Sequence, residues 1–364
     1  MRYFNYAGFT PARAEAVAEM QAVSDEFGTQ LFSQSGIAWY RTQLVNTRAK
    51  VARLLHVNDG EASETLAFTQ NSTTACRFVV SSLDLHRGDV VVTSDQEHLS
   101  TWQTLEGLRQ RGVELVVIPV SSEERFLTQL DDVCRKRTVK LITVSHVAHT
   151  DGRILPVHQV GEIAGKRNTI LMIDGAQAVG HIPVDLSALD ADCYFFSGHK
   201  WCAGPMGTGA LFITKRDEPR LTRRASGLSE TESAQEYFEL GTQNIGLIAG
   251  LGRACEMKQQ ELPTMVNLAS LRTLFRGCLS RMNGVETVEW DGPHAPGILS
   301  FRLHNPAFNA TRIAEHLEVK YDIAIKPLRL LEFSQMLRVS WSLSTDVQDV
   351  LFLAEKLGEA LAEC

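Results

Sequence analysis

The sequence predicts an α/β protein: a large unit built on a mostly parallel, seven-stranded sheet, with a smaller α+β unit attached. Three observations carry that expectation. Between residues 65 and 215, short runs that are apolar on both faces recur. Each is separated from the next by enough chain for a helix. In the last third the texture changes, and apolar and polar side chains alternate within each run. Doubly apolar runs between helical stretches mark a parallel sheet covered on both sides, whereas alternation suits half-exposed antiparallel strands.

The elements follow in order. Residues 12–27 carry Ala16, Val17, Met20, Val23 and Phe27 at helical spacing. The seven apolar runs are 66–69, 90–93, 115–120, 141–144, 170–173, 194–196 and 210–213. Downstream, 285–290, 297–303 and 337–343 read as antiparallel strands, and 268–282, 311–318 and 347–362 as helices. Ser344 is the expected N-cap of the last helix. The boundary falls around 245–265, where one long connecting helix fits. This gives a large unit over 12–250 and a small one over 251–364, with residues 1–11 expected to pack back on the small unit.

Composition narrows the function. At 364 residues the chain can bury large cores without disulfide or metal staples. Lys and Arg number 36 against 43 Asp and Glu, a net charge of -7 with no basic block. That excludes a phosphate-backbone binder as the first reading, so no nucleic-acid partner is expected. No apolar stretch approaches the ~20 residues of a membrane span. The start, residues 1–17, lacks the apolar core and cleavage site of a signal peptide. Seven scattered cysteines, with no CxxC pair, suit reduced thiols in the cytoplasm.

Ligands of open parallel sheets sit at the carboxyl ends of the strands, so the residues after each run matter most. Gln70 to Thr74 follow the first, Glu97 and His98 the second, and His149, Thr150 and Asp151 the fourth. Asp174 to Gln177 follow the fifth, and Ser197 to Lys200 the sixth. Lys200 succeeds a run too apolar for a surface strand. Desolvation there lowers an amine's pKa and frees it for Schiff-base chemistry, although a lysine snorkelling from a loop is the competing reading. Asp174, ending a strand inside the sheet, suits a helix cap, a metal, or a protonated pyridine nitrogen. Ser72 and Thr73 stand where a strand feeds a helix N-terminus, as an anion site or as plain capping. His98 is a loop histidine, or stacks on a ring if an aromatic cofactor is present. His146 and His149 give only an H-x-x-H spacing with no evident third ligand, so no metal is expected. The glycines of GPMGTG, 204–209, precede a strand rather than open a helix, which argues for a turn and against a dinucleotide loop.

Together, SGHKW at 197–201, DGAQAVG at 174–180, Glu97-His98 and TQNSTT at 69–74 resemble the class V aminotransferases. These are fold-type-I pyridoxal-phosphate enzymes that include cysteine desulfurases and epimerase-like proteins. The resemblance spans the chain from FNYAGFTP at 4–11 to RVSWSLST at 338–345, and GHKWCAGPMGTGALFI is most similar to the cystine C–S lyase and epimerase-like branch. The resemblance implies pyridoxal 5'-phosphate as cofactor and a homodimer with a shared site. Lys200 looks like the Schiff-base lysine and proton shuttle, Asp174 the partner of the pyridine nitrogen, and Gln177 the contact of the ring hydroxyl. His98 resembles the ring-stacking, catalytic histidine. Ser72, Thr73, Ser197 and His199 resemble phosphate ligands, and Thr242 the threonine that reaches the neighbouring subunit's phosphate. Arg338 matches the clamp of the substrate carboxylate, with Arg329 the fallback.

One departure shapes the expected reaction. Desulfurases of this family carry a nucleophilic cysteine just before that arginine, but residues 325–336 hold none, and Cys278 and Cys364 lie elsewhere. A thiolate or persulfide can still leave from an α-carbanion without an enzyme thiol. The expectation is therefore β-elimination from cystine or a cysteine conjugate, giving pyruvate and ammonia. Transamination, epimerisation and a non-catalytic relative are the alternatives. The substrate pocket is expected to draw on 4–8, 33–41 and 220–240.

Overall fold

The computed structural model describes residues 1–30, 33–58, 64–214, 238–239, 241–288, 290–305, 308–328 and 335–363. The chain opens with β1 (Arg2–Tyr3), α1 (Ala14–Gln30) and α2 (Gln34–Leu54). The alternating region then runs β2 (Leu66–Thr69), α3 (Ser72–Ser82), β3 (Val90–Ser94), α4 (Leu99–Gln110), β4 (Glu114–Ile118), α5 (Glu123–Lys136), β5 (Val139–Ser145), α6 (Val157–Lys166), β6 (Ile170–Asp174), β7 (Cys193–Ser197) and β8 (Gly209–Ile213). These seven strands form one sheet in the order β2-β8-β7-β6-β5-β3-β4. Only β8 runs against its neighbours, so β2 points the same way as the parallel set.

Side-chain alternation explains why the runs are apolar throughout. On β7, Tyr194 and Phe196 join one core while Cys193 and Phe195 join another; on β6, Leu171 and Ile173 oppose Met172 in the same way. Each strand therefore feeds two cores, one under each helical layer. Every such buried Phe or Leu contributes roughly 1.5–3 kcal/mol.

After β8 come α7 (Ile245–Glu261), a 3-10 turn (Leu262–Asn267) and α8 (Leu268–Leu279). The expected long connector is thus a helix pair. Pro263 lies at the start of the turn, and its missing amide hydrogen prevents a continuous α-helix. α7 packs on α1 and α2; a Cβ at Gly250 would stand only 2.8 Å from the Ala16 carbonyl, so the glycine permits that close approach. Of the face expected on α1, Ala16 and Val23 are buried, but Val17 is 41% exposed because it lies one position off the stripe that meets α7.

The final third contains β9 (Val285–Thr287), β10 (Ile298–Leu303), α9 (Ala310–Tyr321), β11 (Ile323–Ala324), β12 (Lys326–Pro327), β13 (Met336–Ser340) and α10 (Val347–Glu363). The second sheet is antiparallel, in the order β12-β13-β10-β9. β9 and β13 are shorter than the sequence pattern suggested, and the two-residue β12 was not anticipated. Ser344 does not cap α10; the Asp346 carboxylate accepts the Asp349 amide at 2.8 Å instead. The N-terminal residues do fold back. β1 pairs with β11, and the Ser340 amide donates to the Phe4 carbonyl at 2.8 Å.

Candidate active site

The parallel strands deliver their carboxyl ends to one edge. β6 ends at Asp174, β7 at Ser197, β3 at Ser94 and β5 at Ser145. Past these ends lies a cavity of about 400 Å³, lined by His98, Gln177, Lys200, Lys326 and Arg338 together with Ala7 and Gly8. Three cations face this space, and the lining includes no carboxylate.

Lys200 is half-buried on the turn after β7. Burial lowers its pKa, the Asp174 carboxylate opposes that shift, and Arg338 reinforces it. Asp174 is buried, and desolvation raises its pKa while Lys200 pulls the other way. One of its oxygens accepts the Ala176 amide at 2.8 Å. The intervening Gly175 has no room for a side chain, since a Cβ would fall 2.1 Å from the Tyr194 ring. The resulting turn keeps the carboxylate close against the sheet.

His98 caps α4, its Nδ1 accepting the Ser100 amide at 3.2 Å. Burial first, then Lys200 and Arg338, press its pKa down to about 4, so it is a neutral aromatic ring at pH 7. His149 meets it edge-on at 4.9 Å and is held neutral chiefly by burial. His146 faces elsewhere, with Nδ1 2.9 Å from the Tyr194 hydroxyl. Among the described residues no group of three His, Cys, Asp or Glu side chains is arranged to hold a metal ion.

The structure brings Ser72 and Ser197 together. The Ser197 hydroxyl is 2.9 Å from both the Ser72 amide and the Ser72 hydroxyl. Asn71, not the serine or Thr73, caps α3 by accepting the Thr74 amide at 2.9 Å. His199 stacks on Phe9 with centroids 6.5 Å apart, and among the described residues its buried Nδ1 has no partner. Thr242 is exposed and lines a separate cavity of about 480 Å³ with Thr69, Gln70 and Thr208. Neither cavity's lining includes His199. The GPMGTG segment is a turn into β8, with Gly207 at φ +80°.

Arg338, at the centre of β13, is buried. It donates from Nη1 to the His149 carbonyl at 2.6 Å and from Nη2 to Asn5 Oδ1 at 3.0 Å. Among the described residues Nε has no partner and no carboxylate pairs with the guanidinium. Desolvation lowers its pKa to about 10, which still leaves it charged at pH 7.

Of the segments expected to shape the pocket, 4–8 contributes Ala7 and Gly8, and 33–41 contributes nothing to the lining. Residues 220–237, 240, Arg329 and Cys364 lie outside the described residues. Sequence reasoning singled out neither Asn5 nor Lys326, and it gave Glu97 no role beyond the Glu97-His98 motif. Asn5 orients Arg338. Lys326 stands opposite Arg338 in register, which only the pairing of a two-residue strand reveals. Glu97 is buried beneath the rim, taking hydrogen bonds from the Ser94 hydroxyl at 2.6 Å and from the Ser145 amide and hydroxyl at 3.0 and 2.8 Å.

The Aminotransferase class-V family model matches residues 2–353. A probable cysteine desulfurase of Methanothermobacter thermautotrophicus is 27% identical, the match covering 98% of this chain and 94% of the relative. Cysteine desulfurase IscS of Serratia proteamaculans is 26% identical over 89% of this chain and 78% of its own. Two solved structures share the fold. The apo cysteine desulfurase from Thermococcus onnurineus NA1 superposes with a TM-score of 0.87 at 23% identity, covering 100% of this chain and 95% of that one. The complex of the cystine C–S lyase C-DES with its product cysteine persulfide superposes with a TM-score of 0.80 at 23% identity, covering 98% and 97%. With the ordered motifs, the sheet topology and a family match over nearly its whole length, the chain belongs to the class-V aminotransferases.

Proposed function

We propose that this protein is a pyridoxal-5'-phosphate-dependent carbon–sulfur lyase acting by β-elimination on cystine or a cysteine-derived amino acid, with pyruvate, ammonia and a thiol or persulfide as products. The residues present suit that cofactor. Ser72, Thr73 and Ser197 gather hydroxyls and first-turn amides at the N-terminus of α3, a natural phosphate seat. The unpartnered Nδ1 of His199 is a further donor or acceptor for that end. His98 presents a neutral ring for stacking. Asp174 is a buried carboxylate whose charge is costly until a cation meets it, as a protonated pyridine nitrogen does. Gln177 would donate an amide N–H to the ring's oxygen, and Thr242 would serve the phosphate of a second subunit in a homodimer. When bound, the cofactor supplies an electron sink for charge released at the substrate's α-carbon.

The chain's own residues do the rest. Arg338 takes the substrate carboxylate as a planar, always-charged donor. Lys200, with a lowered pKa, anchors the cofactor and then removes the α-proton. No thiol of the protein is required. Residues 325–336 lack cysteine, and burial pushes the thiols of Cys76 and Cys134 up to about 12 and about 11. We read residues 12–250 as the cofactor domain and 1–11 with 251–364 as the small domain that supplies Arg338. A cytoplasmic location completes the reading; no described helix is long and apolar enough to cross a membrane.

Arg338 carries this proposal: a buried cation without a carboxylate, on the cavity that Lys200 also lines. The test is to incubate the holoprotein with cystine and assay pyruvate and sulfur release. Stoichiometric amino transfer to a 2-oxo acid, or racemisation without pyruvate, would replace elimination. Lys200→Ala should lose about 10⁴-fold in turnover with an unchanged circular dichroism spectrum; retained turnover would remove Lys200 from its role.

A further inference from the structure

The residue after the lysine and the Ala7 carbonyl together fix the orientation of the Gln177 amide. The Trp201 indole can only donate, and its Nε1 lies 2.6 Å from Gln177 Oε1. Gln177 Nε2 donates to the Ala7 carbonyl, which can only accept, at 2.8 Å. A flipped amide would set donor against donor and acceptor against acceptor, so the orientation follows from chemistry. One N–H of Gln177 remains unspent, on a residue that lines the Lys200 cavity.

His181 backs this arrangement. The Gly297 amide donates to its Nε2 at 2.8 Å, so the proton resides on Nδ1, which faces the Gln177 carbonyl at 3.1 Å. Burial keeps the imidazole neutral. Its ring lies flat on the Trp201 indole, 3.6 Å away with an 11° interplanar angle. Backbone, ring and side chain of this cluster are therefore all committed before any ligand arrives.

We propose that Trp201 and His181 are positioning residues that lock Gln177 as a fixed N–H donor to the phenolic oxygen of the cofactor ring, favouring its deprotonated form. The proposal rests on the cofactor reading above. The test is a pH titration of the visible absorbance of the cofactor-loaded protein. In Trp201→Phe the midpoint should rise by about one pH unit, and the cofactor Kd should weaken by about tenfold. His181→Phe keeps the flat contact, loses both hydrogen bonds, and should move the midpoint the same way by less; it also serves if Trp201→Phe does not fold. Because the lock acts through Gln177, Trp201→Phe should add no shift in a Gln177→Leu background. An unchanged midpoint in both ring variants, or shifts that simply add to that of Gln177→Leu, would overturn the lock while leaving the cofactor reading in place. A wild-type protein that gains no visible band with pyridoxal 5'-phosphate would overturn both.

Discussion

Arg48 and Arg338 are both buried, at 2% and 4% exposure, yet their surroundings differ in kind. Arg48 pairs with the buried Glu239 carboxylate, donates from Nε to the Leu66 carbonyl at 3.1 Å, and lies 4.9 Å from the Phe68 ring. Glu239 in turn accepts the Phe68 amide at 2.6 Å. Arg153, a third buried arginine, is likewise matched, with Nε 2.9 Å from Asp151 Oδ2. Among the described residues Arg338 meets only neutral acceptors, and its Nε–H has no partner. A matched buried charge ties segments of the fold together. An unmatched one costs stability and persists where a ligand supplies the missing charge.

Removing each arginine tests that distinction. Arg48→Ala strands Glu239 in the core and should cost about 3–5 kcal/mol in denaturant unfolding. Replacing the pair together, Arg48→Met with Glu239→Leu, should recover most of it. If Arg48→Ala costs less than about 1 kcal/mol, the pair is not structural. Arg338→Ala should do the reverse. KM for the amino acid should rise about 100-fold, equivalent to about 3 kcal/mol, with unfolding stability unchanged or improved. A marked loss of stability with KM intact would erase the contrast. Arg338→Lys should rescue poorly, since an ammonium cannot make the paired contact of a planar fork.

The sequence showed one of these arginines and not the other. Lys200, Asp174, His98 and Ser197 were legible because an apolar strand announces its own end, and parallel strands deliver their ends to a single edge. Most of the seven strands were legible for the related reason that burial on both faces leaves few polar positions; the edge strand β4, with Glu114 and Val117 exposed, was legible from its apolar run alone. Arg338 stood out only by resemblance, since an arginine on an alternating strand has no local sign of burial. Asn5 escaped because its partner is 333 residues away in sequence, and Lys326 because its place opposite Arg338 depends on the pairing of a two-residue strand. Capping was misjudged at α10, and at α3 the cap is a residue outside the Ser72-Thr73 pair that the capping alternative named. Each site offers several side chains that could serve, and backbone geometry selects among them, taking Asn71 over Ser72 and Asp346 over Ser344. The Trp201–Gln177 bond was invisible for the same reason as the pairing of β12: it depends on how two turns meet.

Glu97 extends the comparison to the opposite sign. It is buried beneath the active-site rim, its hydrogen bonds come from neutral serine groups, and the nearby Asp174 carboxylate repels it. Desolvation outweighs the hydrogen bonds and raises its pKa to about 7. A folded-state pKa above the unfolded value means that the protonated form stabilises the fold. That stability is complete below the unfolded value near 4.5 and is lost as pH rises through about 7. Between pH 5 and pH 7 the loss should be about 2 kcal/mol. The buried neutral histidines His98 and His146, both pressed down to about 4, act in the opposite direction, because they must be charged as acid unfolds the chain. Their effect cancels when wild type is compared with Glu97→Gln, which keeps the shape and cannot ionise. The stability difference between the two should therefore move by about 2 kcal/mol in favour of the glutamine variant from pH 5 to pH 7, measured by urea unfolding at each pH. A difference that stays flat would mean Glu97 remains ionised throughout. The active-site rim would then hold a buried carboxylate as well satisfied as Glu239, and Arg338 would be left, among the described residues of the rim, as a buried charge without a match.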